Sequence, residues 1–409
     1  MNLLSVAEAR ERILSQLQAV TPESLPLAAS AKRVLAQDIA ATSDLPLFDN
    51  SSMDGFAIRA ADLVTQDGSL PSLKVVADIP AGADPQITLA PGEAARIMTG
   101  APLPRGADAV VPVEDTDFQL TQAGTGAPSS VRSTRLVRSG ENVRARGMDV
   151  RAGKVVLHAG QALRPQDLGL LATLGKALVP VYRRPRVALL SSGDELLPVG
   201  APLQPGKIYD SNSYVLAALI EEAGAELIRL GVAEDRREAV KGLLEQAAQE
   251  QADLILSSAG VSVGAFDFVK EVVDSHGRLD FWRVNMRPGK PLAFGEYRGT
   301  PFIGLPGNPV SAFVGFQVFV RPALARLCGL ETTDRPAIRV RLGESVESDG
   351  RESYLRAEIR EENGTMTAYL SGHQGSANTV ALVRANALLI IPAGVKSAPA
   401  GREVEAWML

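Results

Sequence analysis

The spacing of apolar and polar positions changes period several times along the chain. Ser5 and Glu8 make a capping box, and Val6, Ala9, Ile13 and Leu17 follow at helical spacing. That helix is expected to run to Thr21-Pro22, with a shorter helix-like stretch over 25–40. Residues 45–49 then leave as an extended segment, and 51–57 form a polar turn carrying Asp54. Over 70–137 short apolar runs (73–77, 94–98, 109–113) alternate with Pro and Gly clusters, which predicts short strands and many turns. Residues 121–130, small and polar, read as a hairpin tip, and 139–149 pack charges between glycines. Arg164-Pro165 opens a helix that stops at Gly175.

Between 186 and 329 the pattern alternates. Apolar strands are predicted at 187–190, 226–230, 254–256 and 301–305. Helices follow at 213–223, at 235–249 (opened by an Asp235–Glu238 box) and at 309–327. Such alternation implies a parallel sheet with helices on both faces. Beyond 331 the period returns to two, with strands at 338–342, 354–359, 365–370 and finally 387–391, and Asn363-Gly364 as a hairpin turn. The fold class expected is multidomain α/β plus β. Its parts are a discontinuous N-terminal domain (1–45 and 150–185), an inserted β-rich domain (46–149), an α/β domain (186–330) and a C-terminal β-barrel-like domain (331–409).

Composition narrows the chemistry. A net charge of −5 over 409 residues argues against a general nucleic-acid binder, so the cations matter locally. Cys328 is the only cysteine, which excludes disulfides and a Cys-based zinc site, and His158, His276 and His373 are too scattered for a histidine metal centre. No apolar run approaches the roughly 20 residues of a membrane span, and the N-terminus lacks a signal-peptide pattern, so a cytoplasmic protein is expected.

Three strand ends carry loops suited to phosphate oxygens: 191–195 (with Ser192, Gly193, Glu195), 257–264 (with Gly260, Ser262, Gly264) and 304–308 (with Pro306, Gly307, Asn308). One such loop is an ordinary turn. Three at the carboxyl edge of one sheet mark the edge where α/β folds bind ligands. Arg283, Arg287 and Lys290 cluster beside Pro288, Gly289 and Pro291, and Pro309 opens a helix shortly after, a combination suited to a strongly anionic ligand. Carboxylates gather at the same edge. Asp210, ahead of Ser211, reads as a helix cap, whereas Glu195 and Asp267 read as ligand or Mg²⁺ contacts. Cys328 and Trp282 read as packing.

Six ordered motifs, at 52–57, 96–101, 192–196, 206–213, 260–264 and 306–311, together resemble the molybdopterin molybdenumtransferase family, which includes the bacterial MoeA proteins and the gephyrin E domain. The resemblance spans essentially the whole chain. It implies a central MogA-like α/β domain, flanking β-rich domains and an elongated homodimer. It also implies insertion of molybdenum from molybdate into adenylylated molybdopterin, with Mg²⁺ and release of AMP. Carried over by motif, the oxyanion pocket comprises Arg283, Arg287, Lys290, Pro291, Ser311, Arg356 and Ser376. Glu195, Asp235 and Asp267 line the pterin-phosphate and metal region, and Asp54, Thr99 and Asp149 reach the cleft from the partner subunit. A molybdopterin adenylyltransferase and downstream molybdenum-cofactor proteins are the implied partners. The chain departs from the family pattern at Arg287 (commonly Lys), Ala259 (Gly), Ala265 (acidic or polar) and Ser192 (Thr).

Overall fold

The computed structural model describes residues 3–64, 68–118, 126–258, 268–332 and 334–409. Chain contacts divide it into two units: Met1–Gln37 with Ala159–Ala172 and Lys176–Leu409, and Asp38–His158 with Thr173–Gly175.

The larger unit is built on a six-stranded sheet. Its strands are β1 (Arg186–Ser192), β2 (Glu226–Ala233), β3 (Leu254–Ser258), β4 (Gly277–Arg283), β5 (Pro291–Tyr297) and β6 (Thr300–Leu305), in the order β2-β1-β3-β6-β5-β4. The first four in that order are parallel, as the alternation predicts, but β5 and β4 are antiparallel. Neither β4 nor β5 was expected from the sequence, because polar residues interrupt β4 and a glycine sits in each. Those glycines are required: a Cβ at Gly277 or Gly295 would stand 2.1 or 2.0 Å from the facing carbonyl oxygen of Glu296 or Arg278. The antiparallel edge has a functional consequence. Ala293 pairs with Gly304 and Arg283 with Pro291, so the loop between β4 and β5 is turned back to the end where β6 finishes.

Helices α1 (Asn212–Glu222), α2 (Arg237–Gln249), α3 (Phe268–His276) and α4 (Pro309–Gly315) cover the sheet, and α4 continues through a π-turn into Arg321–Leu327. One core cluster packs Leu216, Leu256, Ile303 and Phe316 with Val6, Ala9 and Ile13 of the N-terminal helix, while Leu190, Leu244, Val272 and Phe302 fill the other face. The continuous 309–327 helix is apolar and long enough to cross a bilayer by composition alone, contrary to the sequence reading, but most of it is buried inside this core.

Two N-terminal expectations fail. The first helix, with its capping box intact, spans only Val6–Leu14. Leu17 and Val20 stay buried without helical backbone, Val20 N–H donating to Leu327 O. The 25–40 stretch is not helical: Pro22–Pro26 pairs antiparallel with Leu178–Tyr182, and Leu27–Ala29 is a single 3₁₀ turn. The capping box at Asp235 is absent too. The helix begins at Arg237 without a side-chain cap, because the Asp235 carboxylate faces Asp194 instead.

The C-terminal sheet closes on itself, with Glu352–Glu362, Thr365–Leu370, Ile338–Leu342, Glu403–Met408 and Ala387–Ile391 joined in a ring. The last strand is therefore Glu403–Met408, not 387–391. Asn363 and Gly364 both have positive φ (51° and 76°), the geometry that makes them a tight hairpin turn. Along Glu352–Glu362, Leu355, Ala357 and Ile359 point into the barrel core, whereas Tyr354 joins the α/β core. Period-two alternation puts Arg356 on the Tyr354 side.

The smaller unit contains a five-stranded sheet ordered Ala109–Pro112, Gly55–Ile58, Glu93–Ile97, Ser72–Ile79 and Ser130–Arg132. Gly55 lies so close to the neighbouring strand that a Cβ would stand 2.0 Å from Val111 O. Part of the expected 121–130 hairpin tip lies outside the described residues.

Candidate functional site

The carboxyl ends of β1, β3 and β6 converge on a cavity of about 590 Å³. Ser192, Glu195, Asp210, Ser211, Gly307, Asn308 and Pro309, all expected from sequence, line it. Leu196, Ile208 and Tyr209 add an apolar wall, and Ala377 and Thr379 of the C-terminal domain complete it. No signal in the sequence pointed to those last two. Their placement follows from the barrel loop docking on α4, where Val310 N–H donates to Ser376 O at 3.0 Å.

The acidic side of the cavity begins at Gly193, whose φ of +147° lets the chain turn sharply. A Cβ there would lie 2.5 Å from a Glu195 carboxylate oxygen, so only glycine leaves room for Glu195 to fold back. Asp194 and Asp235 exchange bonds between the loops after β1 and β2: Asp235 N–H donates to Asp194 Oδ1 at 3.0 Å and Asp194 N–H to Asp235 Oδ2 at 3.5 Å. Lys207 Nζ donates to Asp194 O. Burial pushes the Asp235 carboxyl above its ordinary value; the Asp194 N–H bond opposes this, and the Asp194 and Glu195 charges reinforce it.

A carboxyl with a raised folded pKa holds its proton more tightly when folded. Its contribution to stability is therefore complete below the ordinary carboxylate pKa and is lost as pH rises through the raised value. Asp235→Asn keeps an acceptor and removes the charge. It should melt at or above the parent temperature near pH ~7 and match the parent near pH ~3. Thermal melts at both pH values check this, and a clearly lower melting point at the higher pH contradicts it.

Asp210 is a cap, accepting from Ser213 N–H at 3.1 Å while buried at the cavity wall. Asp267, Gly260, Ser262, Gly264, Ala259 and Ala265 lie outside the described residues. Among the described residues, no three Asp, Glu, His or Cys side chains assemble as a metal site.

The cationic side stands on the β4–β5 loop and the barrel. Met286–Arg287 pairs parallel with Glu352 and Ser353, and Arg351 Nη1 donates to Met286 O at 2.9 Å, so the loop is fastened to the barrel. Gly289 (φ +97°) passes over the first turn of α4, where a Cβ would be 3.5 Å from Ser311 O, and Ser311 itself is buried. Among the described residues, no carboxylate forms an ion pair with Arg287 or Lys290.

Arg356 is 0% exposed. Its Nη2 donates to His373 O (2.9 Å) and Gly375 O (3.3 Å), but Nε and Nη1 are buried without a partner among the described residues. Burial, then the nearby Arg287 charge, pull its pKa below the ordinary guanidinium value. A buried cation with two idle donors beside a second cation is costly unless an anion completes it. Arg283, the last residue of β4, and Lys290, on the loop that follows, are exposed, and Pro291 opens β5. Neither Arg287, Lys290 nor Ser311 lines the 590 Å³ cavity, so the cationic cluster and the cavity are separate features of one sheet edge.

Asp54, Thr99 and Asp149 belong to the smaller unit. Thr99 donates to Asp54 Oδ1 through both its N–H (2.7 Å) and its hydroxyl (2.8 Å), which hold the Asp54 carboxyl below its ordinary range. Asp149 is exposed, its N–H bonded to Leu45 O.

Fold and site define an α/β-plus-β protein with a buried, partly unpartnered guanidinium near a second cation and a cavity at the carboxyl edge of its sheet. Three family models match in order: the MoeA N-terminal region (domain I and II) over residues 4–175, a probable molybdopterin binding domain over 188–326, and the MoeA C-terminal region (domain IV) over 339–409. Molybdopterin molybdenumtransferase 2 of Mycobacterium tuberculosis (strain ATCC 25618 / H37Rv) is 42% identical, covering 99% of both chains. The molybdopterin molybdenumtransferase of Haemophilus influenzae is 39% identical over 98% of each. The molybdopterin biosynthesis MoeA protein of Pyrococcus horikoshii OT3 matches in structure with a TM-score of 0.84 at 30% identity, covering 100% of both chains. The chain belongs to the MoeA family.

Proposed function

We propose that this protein is a molybdopterin molybdenumtransferase, which inserts molybdenum from molybdate into adenylylated molybdopterin and releases AMP and molybdenum cofactor. The observation that carries this reading is the buried guanidinium of Arg356, with two nitrogens unpartnered among the described residues, near Arg287 and the cavity at the ends of β1, β3 and β6. Molybdate is a doubly charged tetrahedral oxyanion, and the idle donors of Arg356 with Arg287, Lys290 and Ser311 suit it. The loops after β1 and β6, the end of β3 and the first turns of α1 and α4 suit the pterin and its phosphate. The substrate's dithiolene supplies the sulfur ligands. Cys328, buried with its thiol pushed up to about 11, takes no part. The chain's own contribution is positioning and charge stabilisation.

Mg²⁺ fits the oxygen-rich acidic side, since it is commonly held by one or two carboxylates plus substrate phosphate and water. Glu195 would hold it, with Asp235 nearby and Asp267 as the second expected ligand. When bound, it neutralises charge on the phosphate being cleaved. The working form is a homodimer in the cytoplasm, in which Asp54, Thr99 and Asp149 of one chain serve the site of the other. A molybdopterin adenylyltransferase supplies its substrate, and molybdenum-cofactor proteins accept its product.

Purified protein mixed with adenylylated molybdopterin should release AMP on addition of molybdate and Mg²⁺, and EDTA should stop the release. AMP release that ignores molybdate would contradict the assignment.

A further inference from the structure

We infer that Asn212 is the positioning residue that holds the phosphate-receiving face of the cavity together. The inference rests on the proposed function and adds to it a residue with no assigned part in it. Asn212 is the first residue of α1 and is buried at the cavity wall. Its side-chain NH₂ donates to Ser258 Oγ at 3.1 Å and to Gly307 O at 2.7 Å. A carbonyl oxygen can only accept, so the bond to Gly307 fixes which end of the amide faces inward. Ser258 ends β3, and Gly307 lies in the loop after β6. One amide therefore spends both its donors tying two strand ends to the start of α1. All three residues line the cavity.

The neighbouring residues divide the remaining work. Asp210 is occupied with the Ser213 N–H, and Ser211 lines the cavity. Without Asn212, Gly307 O and Ser258 Oγ lose their shared donor, and the end of β3 and the loop after β6 lose their common anchor. The backbone groups that receive a phosphate would then no longer be held at a fixed spacing.

The test is calorimetric titration of AMP into the full-length protein, the parent against Asn212→Ala and Asn212→Asp, at pH values near ~5 and ~8. Asn212→Ala should bind AMP about tenfold more weakly at both, the loss expected from buried hydrogen bonds. An aspartic acid donates only when protonated, and its carboxylate would repel Gly307 O. The affinity of Asn212→Asp relative to the parent should therefore be several-fold higher at acid pH, a dependence that loss of packing alone would not produce. Parent-like binding by Asn212→Ala, or a ratio for Asn212→Asp that does not change with pH, overturns the inference. Should Asn212→Ala fail to fold, the pH ratio of Asn212→Asp decides alone. A parent protein that binds no AMP would instead overturn the functional reading on which this rests.

Discussion

Arg356→Met is expected to abolish molybdate binding while leaving the ligand-free protein at least as heat-stable as the parent. The two halves of that result come from one observation. Arg356 is fully buried, and two of its three guanidinium nitrogens have no partner among the described residues. In the ligand-free protein this is an uncompensated buried cation, worsened by Arg287. Methionine fills similar space without charge. The carbonyls of His373 and Gly375 lose a donor, but neither residue is buried, so water can replace it. With molybdate present the balance reverses. Charged hydrogen bonds contribute about 1.5–3 kcal/mol each, so two idle donors represent about 3–6 kcal/mol, or at least a hundredfold in affinity. Titration calorimetry reads the affinity, and the rise in melting temperature with molybdate gives a second reading. A variant that keeps the molybdate-induced rise would show that Arg356 is not part of the oxyanion site.

The second large effect is recovery of lost activity. Asp54→Ala and Arg287→Ala should each be nearly inactive as homodimers. Asp54 holds a two-bond contact with Thr99 in the smaller unit, while Arg287 stands on the β4–β5 loop of the larger one. If each site draws Asp54 from one chain and Arg287 from the other, a mixed dimer has one site with both residues intact and one with neither. Unfolding and refolding a mixture of the two variants should restore about a quarter of the parental activity, since half the dimers are mixed and half of their sites are intact. Activity that stays at the level of the separate variants would mean that both residues serve one chain's own site, or that the dimer is absent.

What the sequence revealed depended on how local each signal was. Asn363-Gly364 was readable as a hairpin because both residues must adopt positive φ, and Pro309 marked the start of α4 because a missing N–H costs nothing there. The strand-end loops after β1 and β6 were readable because both strands are apolar runs of a parallel sheet. The β4–β5 edge was hidden, since its pairing depends on glycines meeting a neighbouring backbone that no local pattern encodes. Leu17 misled for the opposite reason: burial in the core shared with the 309–327 helix mimicked helical spacing. Arg356 was accessible only through family resemblance. Its burial arises when the barrel closes and turns alternate residues of one strand toward the α/β core. Asn212 was visible within its motif, but a motif does not say that one amide joins the end of β3 to the loop after β6.

A tetrahedral oxyanion is expected to dock on the Arg356–Arg287 cluster, beside the cavity at the ends of β1, β3 and β6. Crystals soaked with molybdate and AMP, with anomalous scattering recorded at the molybdenum edge, test it directly. The expected result is a single strong peak within hydrogen-bond distance of Arg356 Nε or Nη1, with AMP in the neighbouring cavity. A peak elsewhere on the protein, or none while AMP is bound, would contradict it.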